Sequence, residues 1–96
     1  MESKQIKEEI AGYNEEALFL DGLDGDKDSF NEALIGFGER CSMNTLAVYS
    51  IDKILEILEN KFEMSYEEAR EWYDYNIAGA WMGDNTPICV YDLREV

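Results

Sequence analysis

A strand that runs without a loop into a helix cap constrains this chain more than any other feature. Leu46-Ala-Val-Tyr49 is a short β-prone apolar run, and Ser50 follows it at once in the position of a helix N-cap. Beyond it Ile51, Ile54, Leu55, Leu58 and Phe62 fall at i, i+3, i+4, i+7 and i+11. That spacing lines one side of a helix, so strand and helix must bury their apolar sides in the same layer. Ser65 and Glu68 have the spacing of a capping box. The helix they open is expected to turn Tyr66, Ala69, Tyr73, Ile77 and Ala80 inward and to end between Gly79 and Gly83. Asp84-Asn-Thr-Pro87 then turns the chain into a last strand, Ile88-Cys-Val-Tyr91.

The N-terminal half is less periodic. Ser3 is placed to cap a short helix through about Ala11, with Ile6, Ile10 and Tyr13 on one side. Ala17-Leu-Phe-Leu20 reads as a brief strand, and Asp21 to Ser29 as a loop with nothing to bury. Glu32 to Arg40 reads as a strand, because Gly36 and Gly38 disfavour a helix there. The expected fold class is α+β: a small mixed β-sheet with two consecutive helices packed on one face, plus a short N-terminal helix. Residues 1–96 suit a single domain, since two cores within this length would each be too small to fold unaided.

Composition narrows the chemistry. The chain has 22 acidic and 8 basic side chains, a net charge of −14, and no histidine. Direct nucleic-acid binding is disfavoured, because phosphate contacts need Lys and Arg. A His-based triad is excluded, and no metal or cofactor is expected. Asp24, Asp26 and Asp28 match positions 1, 3 and 5 of a calcium loop, but Ser29 and Ile35 stand where it needs glycine and a bidentate glutamate. Cys41 and Cys89 lack a basic activator nearby, and Cys89 between Ile88 and Val90 reads as an inert, buried thiol. The charged first ten residues do not form a secretory signal, and no run is apolar enough to span a membrane, so a cytoplasmic setting is expected. Nothing marks a catalytic constellation, and the expectation is a protein without enzymatic activity.

The acids themselves carry a pattern. Asp52, Glu56, Glu59 and Glu63 recur at i, i+4, i+7 and i+11, and Glu67, Glu71 and Asp74 repeat the first three steps on the following helix. Like charges at this spacing cost a helix a few tenths of a kcal/mol each, and Glu63 sits where the dipole disfavours an anion. Arg70 can pair with Glu67 or Asp74, whereas Asp52 to Glu63 has no equivalent relief. The rise per residue sets successive carboxylates roughly 4.5–6 Å apart along the axis, compatible with a rail of phosphates. Tyr75 falls on the side away from Tyr73 and Ile77, and a surface aromatic among acids is a common interface anchor. These eight residues form the expected partner-binding surface.

Four stretches carry a family likeness: Asn31-Glu-Ala-Leu-Ile-Gly-Phe-Gly-Glu-Arg40, Val48-Tyr-Ser50, Met64-Ser-Tyr-Glu-Glu-Ala69, and Tyr75-Asn-Ile-Ala-Gly-Ala-Trp-Met-Gly83 continuing through Asn85-Thr-Pro87. Over about Asn31 to Tyr91 the chain resembles a family of short acidic proteins from bacteriophages and prophage-bearing bacteria. It departs from them at Ser42 to Thr45, where it is polar. The resemblance implies a mobile-element setting and carries no catalytic residues. In that setting small acidic proteins block host enzymes that grip nucleic acid. The expectation is therefore an anti-CRISPR-like inhibitor, a nucleic-acid mimic whose partner is a basic host protein such as a CRISPR effector. The alternative is a non-catalytic accessory or assembly protein, possible as a homodimer.

Overall fold

At Ser50 the central strand of a sheet becomes a helix with no intervening residue. The structure, a computed structural model, describes residues 2–21, 28–39 and 44–95. Helix α1 is Ser3–Tyr13, strand β1 Leu34–Gly38, strand β2 Leu46–Ser50, helix α2 Ile51–Lys61, helix α3 Tyr66–Tyr73 and strand β3 Ile88–Val90. The Ser50 hydroxyl accepts the Lys53 N–H at 3.3 Å, satisfying one of the four free amides at the start of α2. Ser65 and Glu68 make their capping box at α3, with both reciprocal bonds present.

The sheet is mixed, in the order β1-β2-β3. β1 runs antiparallel to β2 with an irregularity between Leu34 and Gly36, whereas β3 runs parallel to β2. A parallel return needs a crossover, which α2 and α3 supply. Pairing sets Leu34 beside Tyr49, Phe37 beside Ala47 and Tyr49 beside Cys89, so these side chains share one face. That face meets Ile6 and Ile10 of α1, Ile51, Ile54, Leu55 and Leu58 of α2, and Ala69 and Tyr73 of α3 in one core. The fold is α+β with all three helices on one face of the sheet.

On the opposite face stand Gly38, Val48, Ile88 and Val90, outside that core and partly exposed. A Cβ on Gly38 would come within 3.3 Å of Val48 Cγ2. Glycine here therefore keeps β1 close against the central strand.

Several details differ from expectation. Ser3 lies inside α1, and the cap is Glu2, which forms a capping box with Gln5. Ala17 to Leu20 is extended but joins no sheet. The Ala17 N–H goes to Asn14 O at 3.2 Å, the Leu18 N–H to Asn85 O at 3.1 Å and the Leu20 N–H to the Tyr49 hydroxyl at 3.1 Å. With three of its four donors claimed by turns and a side chain, the segment is not paired as a ladder strand. Tyr13 leaves the Ile6–Ile10 side and lies exposed, 5.4 Å from Phe37 between ring centroids. Tyr66, expected inside, is 58% exposed, because it is the first residue of α3 and precedes the turn that reaches the core. The helix after Tyr73 widens into a π turn, Asp74–Ala78, closed by the Gly79 N–H on Asp74 O at 3.0 Å. A Cβ at Gly79 would stand 3.1 Å from that same oxygen, which explains a glycine at this point. Cys41, Asp24 and Asp26 lie outside the described residues.

Tyr49 has no exposed surface, and burial pushes its phenol up to about 12. Leu20 N–H depends on it as acceptor, so Tyr49→Phe should lower the unfolding free energy by about 1–2 kcal/mol. The raised phenol adds stability that is complete below pH 10 and is lost as pH rises toward 12. Tyr73 is shifted upward as well, also by burial. Wild-type stability should therefore fall between about pH 10 and 12, and Tyr49→Phe should reduce that fall without abolishing it. Urea titrations across this range check both; identical alkaline profiles for the two proteins contradict the assignment.

Candidate functional site

The acids expected to form a surface sit on helix sides turned from the core. Asp52, Glu56, Glu63, Glu67, Glu71 and Asp74 are exposed and Glu59 is half-buried. The register explains this: Ile54, Leu55 and Leu58 take the inner side of α2, and Ala69 and Tyr73 that of α3. Among the described residues, the ion pair made by this set is Asp74 with Arg70, at 3.6 Å. Arg70 also donates to the Tyr91 hydroxyl at 2.8 Å, tying the helix to the segment after β3.

Two expectations about the stripe need correction. Glu63 does not continue the helical row, since α2 ends at Lys61 and Glu63 adopts a left-handed backbone with φ of 56°. The Met64 N–H then returns to the Leu58 carbonyl at 3.2 Å and reverses the chain toward α3. The stripe on α2 also has basic neighbours. Glu56 lines a groove of about 400 Å³ together with Asp28, Glu32, Lys53 and Lys61. Lys61 Nζ donates to the Ser29 hydroxyl at 3.1 Å, which holds this ammonium in the groove. The fold thus delivers cations from the neighbouring side of the same helix, where a stripe read in isolation does not show them.

The α3 side is different. A second groove of about 400 Å³ is lined by Met64, Glu68, Glu71, Trp72, Tyr75 and Asn76, with no basic residue among them. Tyr75 is 77% exposed and shares this groove with Glu71, so the aromatic and one acid of the stripe do come together. Glu68 accepts the Ser65 N–H at 3.0 Å, and that bond, with the Ser65 side chain, holds its carboxyl below the usual range. Trp72 and Glu68 were outside the expected site. The signal for them was present: Glu68, Glu71, Trp72 and Tyr75 fall at i, i+3, i+4 and i+7.

Elsewhere the chemistry is quiet. Cys89 is half-buried, and burial pushes its thiol up while Tyr73 hydrogen-bonds to it. Among the described residues no group of three or more Cys, Asp or Glu is placed to hold a metal ion. No helix among them is long and apolar enough to cross a membrane. Asp92 is buried, and Arg94 Nε and Nη2, with the Arg94 backbone N–H, hold its carboxyl down to about 2. No family model, curated protein or solved structure matches the chain.

Glu63 opposes folding twice, by a left-handed backbone that costs an L-residue about 1–2 kcal/mol and by an anion next to a helix C-terminus. Glu63→Gly should therefore raise the unfolding free energy by about 1 kcal/mol. Equilibrium denaturation measures this, and a loss of stability would show that the Glu63 side chain supports the turn.

Proposed function

We propose that the protein is a non-catalytic binder of basic nucleic-acid-processing proteins. In this reading it is an anti-CRISPR-like inhibitor of phage type, acting in the host cytoplasm. Its acidic α2–α3 surface takes the place of nucleic-acid phosphates in the partner's channel. The observation that carries the reading is Glu63: the chain keeps an anion in the turn between α2 and α3, where glycine would fold better, and both helices carry exposed acids. Residues that store backbone strain cluster at functional sites. The resemblance to short phage proteins supplies the setting. Exposed Tyr75 beside Glu71 supplies the aromatic anchor that such interfaces use.

A second reading has its own observation. The sheet face bearing Gly38, Val48, Ile88 and Val90 is apolar and partly exposed, which suits an accessory or assembly protein that pairs through it. Salt separates the two readings, because charge-driven association weakens with ionic strength and apolar pairing barely responds.

The test is competition with labelled target DNA for a CRISPR effector nuclease, at two salt concentrations. Glu56 is a poor site for charge reversal, since a lysine there would share a groove with Lys53 and Lys61. The Glu59→Lys, Glu63→Lys pair avoids that crowding and places cations at a helix C-terminus, which favours them. Wild type should displace DNA, less so at high salt. The double variant should fold at least as stably and displace DNA about tenfold less well, each reversal replacing an attraction by a repulsion. Equal displacement by both proteins, or displacement indifferent to salt, contradicts the mimicry. A salt-insensitive dimer of the free protein would favour the sheet-face reading.

A further inference from the structure

We infer that the α3 groove is a cleft for a single arginine side chain presented by a protein partner. Its walls combine three things that favour a cation. Trp72 and Tyr75 supply aromatic side chains, Met64 a polarizable thioether, and Glu68 and Glu71 two carboxylates. No lysine or arginine lines it, in contrast to the groove at Glu56. In a chain of net charge −14, an occupant of this cleft is selected for positive charge.

The walls are built before any ligand arrives. Trp72 is half-buried, with its ring centroid 6.0 Å from that of the fully buried Phe30, so the inner wall is seated on the core. The Asn76 amide donates to Trp72 O at 3.0 Å and holds the adjoining turn of helix. Glu68 is fixed by its bond to the Ser65 N–H. Glu68, Glu71, Tyr75 and Asn76 are all exposed, so the groove is open to a residue projecting from another surface. Preorganised walls reduce the ordering that binding requires.

The chemistry of the lining favours arginine over lysine. A guanidinium is flat and weakly hydrated, stacks on an aromatic face and can share its donors with a neighbouring carboxylate. A lysine ammonium is a compact, strongly hydrated charge that gains less from such walls. The biological occupant rests on the proposed basic partner, but the cleft can be tested without one.

The experiment uses Trp81→Phe as background, leaving Trp72 as the remaining indole. The probes are N-acetylarginine amide, its lysine counterpart and its neutral citrulline counterpart, followed by Trp72 fluorescence and its indole N–H resonance. Arginine amide should perturb Trp72 saturably at millimolar concentration, lysine amide more weakly and citrulline amide not saturably. Tyr75→Ala and Glu71→Gln, both at exposed positions, should each weaken arginine binding about threefold while the melting temperature holds. Absence of a saturable response, an equal response to citrulline, or two variants that bind as wild type overturns the cleft. Lysine binding as tight as arginine overturns the arginine assignment. Saturable arginine binding together with failure to displace DNA from the effector would retain the cleft and reject the mimicry.

Discussion

Burial of one face of a three-stranded sheet is the constraint on which the rest of the molecule depends. Tyr49 and Ala47, on the central strand, are fully buried against residues of α1, α2 and α3. Because β2 passes directly into α2, the strand's facing side and the helix's apolar side are locked in register by Ser50. The parallel return of β3 then obliges α2 and α3 to cross over the same face. Polar bonds close the periphery of this layer. Asn14, buried at the end of α1, donates to Thr45 O and to Asn85 Oδ1, both at 2.9 Å. Those bonds tie α1, the approach to β2 and the turn before β3 at one point, in a setting where a lost partner would be costly.

Placing all three helices on one side determines what the other surfaces can do. The outer sides of α2 and α3 are turned from the core, so most of their positions are free to serve solubility or binding. They are filled with acids, although folding alone would favour mixed charge. Glu63 shows the conflict within one residue, since its backbone and its charge both disfavour the turn it occupies. The α3 side adds aromatic area beside the acids, whereas the α2 side mixes in lysines. The two helices therefore differ as surfaces, and the α3 end is the more selective for a cationic group.

Much of this was legible in the sequence. The Ile51–Leu58 stripe, the Ser50 cap, the Ser65–Glu68 box, and the strands around Gly36 and Tyr49 follow from local spacing, and the structure repeats them. What was not legible depends on partners distant in sequence. Ala17 to Leu20 looks like a strand by composition, yet its amides are claimed by Tyr49 and Asn85. Glu56, Lys53 and Lys61 line one groove with Asp28, Ser29 and Glu32, which come from before β1 and far from α2 in sequence. Trp72 lines a groove while its ring packs near that of Phe30, a residue far from it in sequence. In each case the sequence named the residue and the fold supplied its neighbour.

Carboxylate footprinting of the protein in complex with a basic nucleic-acid-processing enzyme tests the central claim most directly. Carbodiimide labelling, read by mass spectrometry, reports the accessibility of each acid in the free and bound states. The account predicts protection at Glu59, Glu63, Glu67 and Glu71, with Glu8 and Glu9 of α1 labelled equally in both states. Unchanged labelling of the α2–α3 acids in a stable complex, or protection confined to α1, would contradict it.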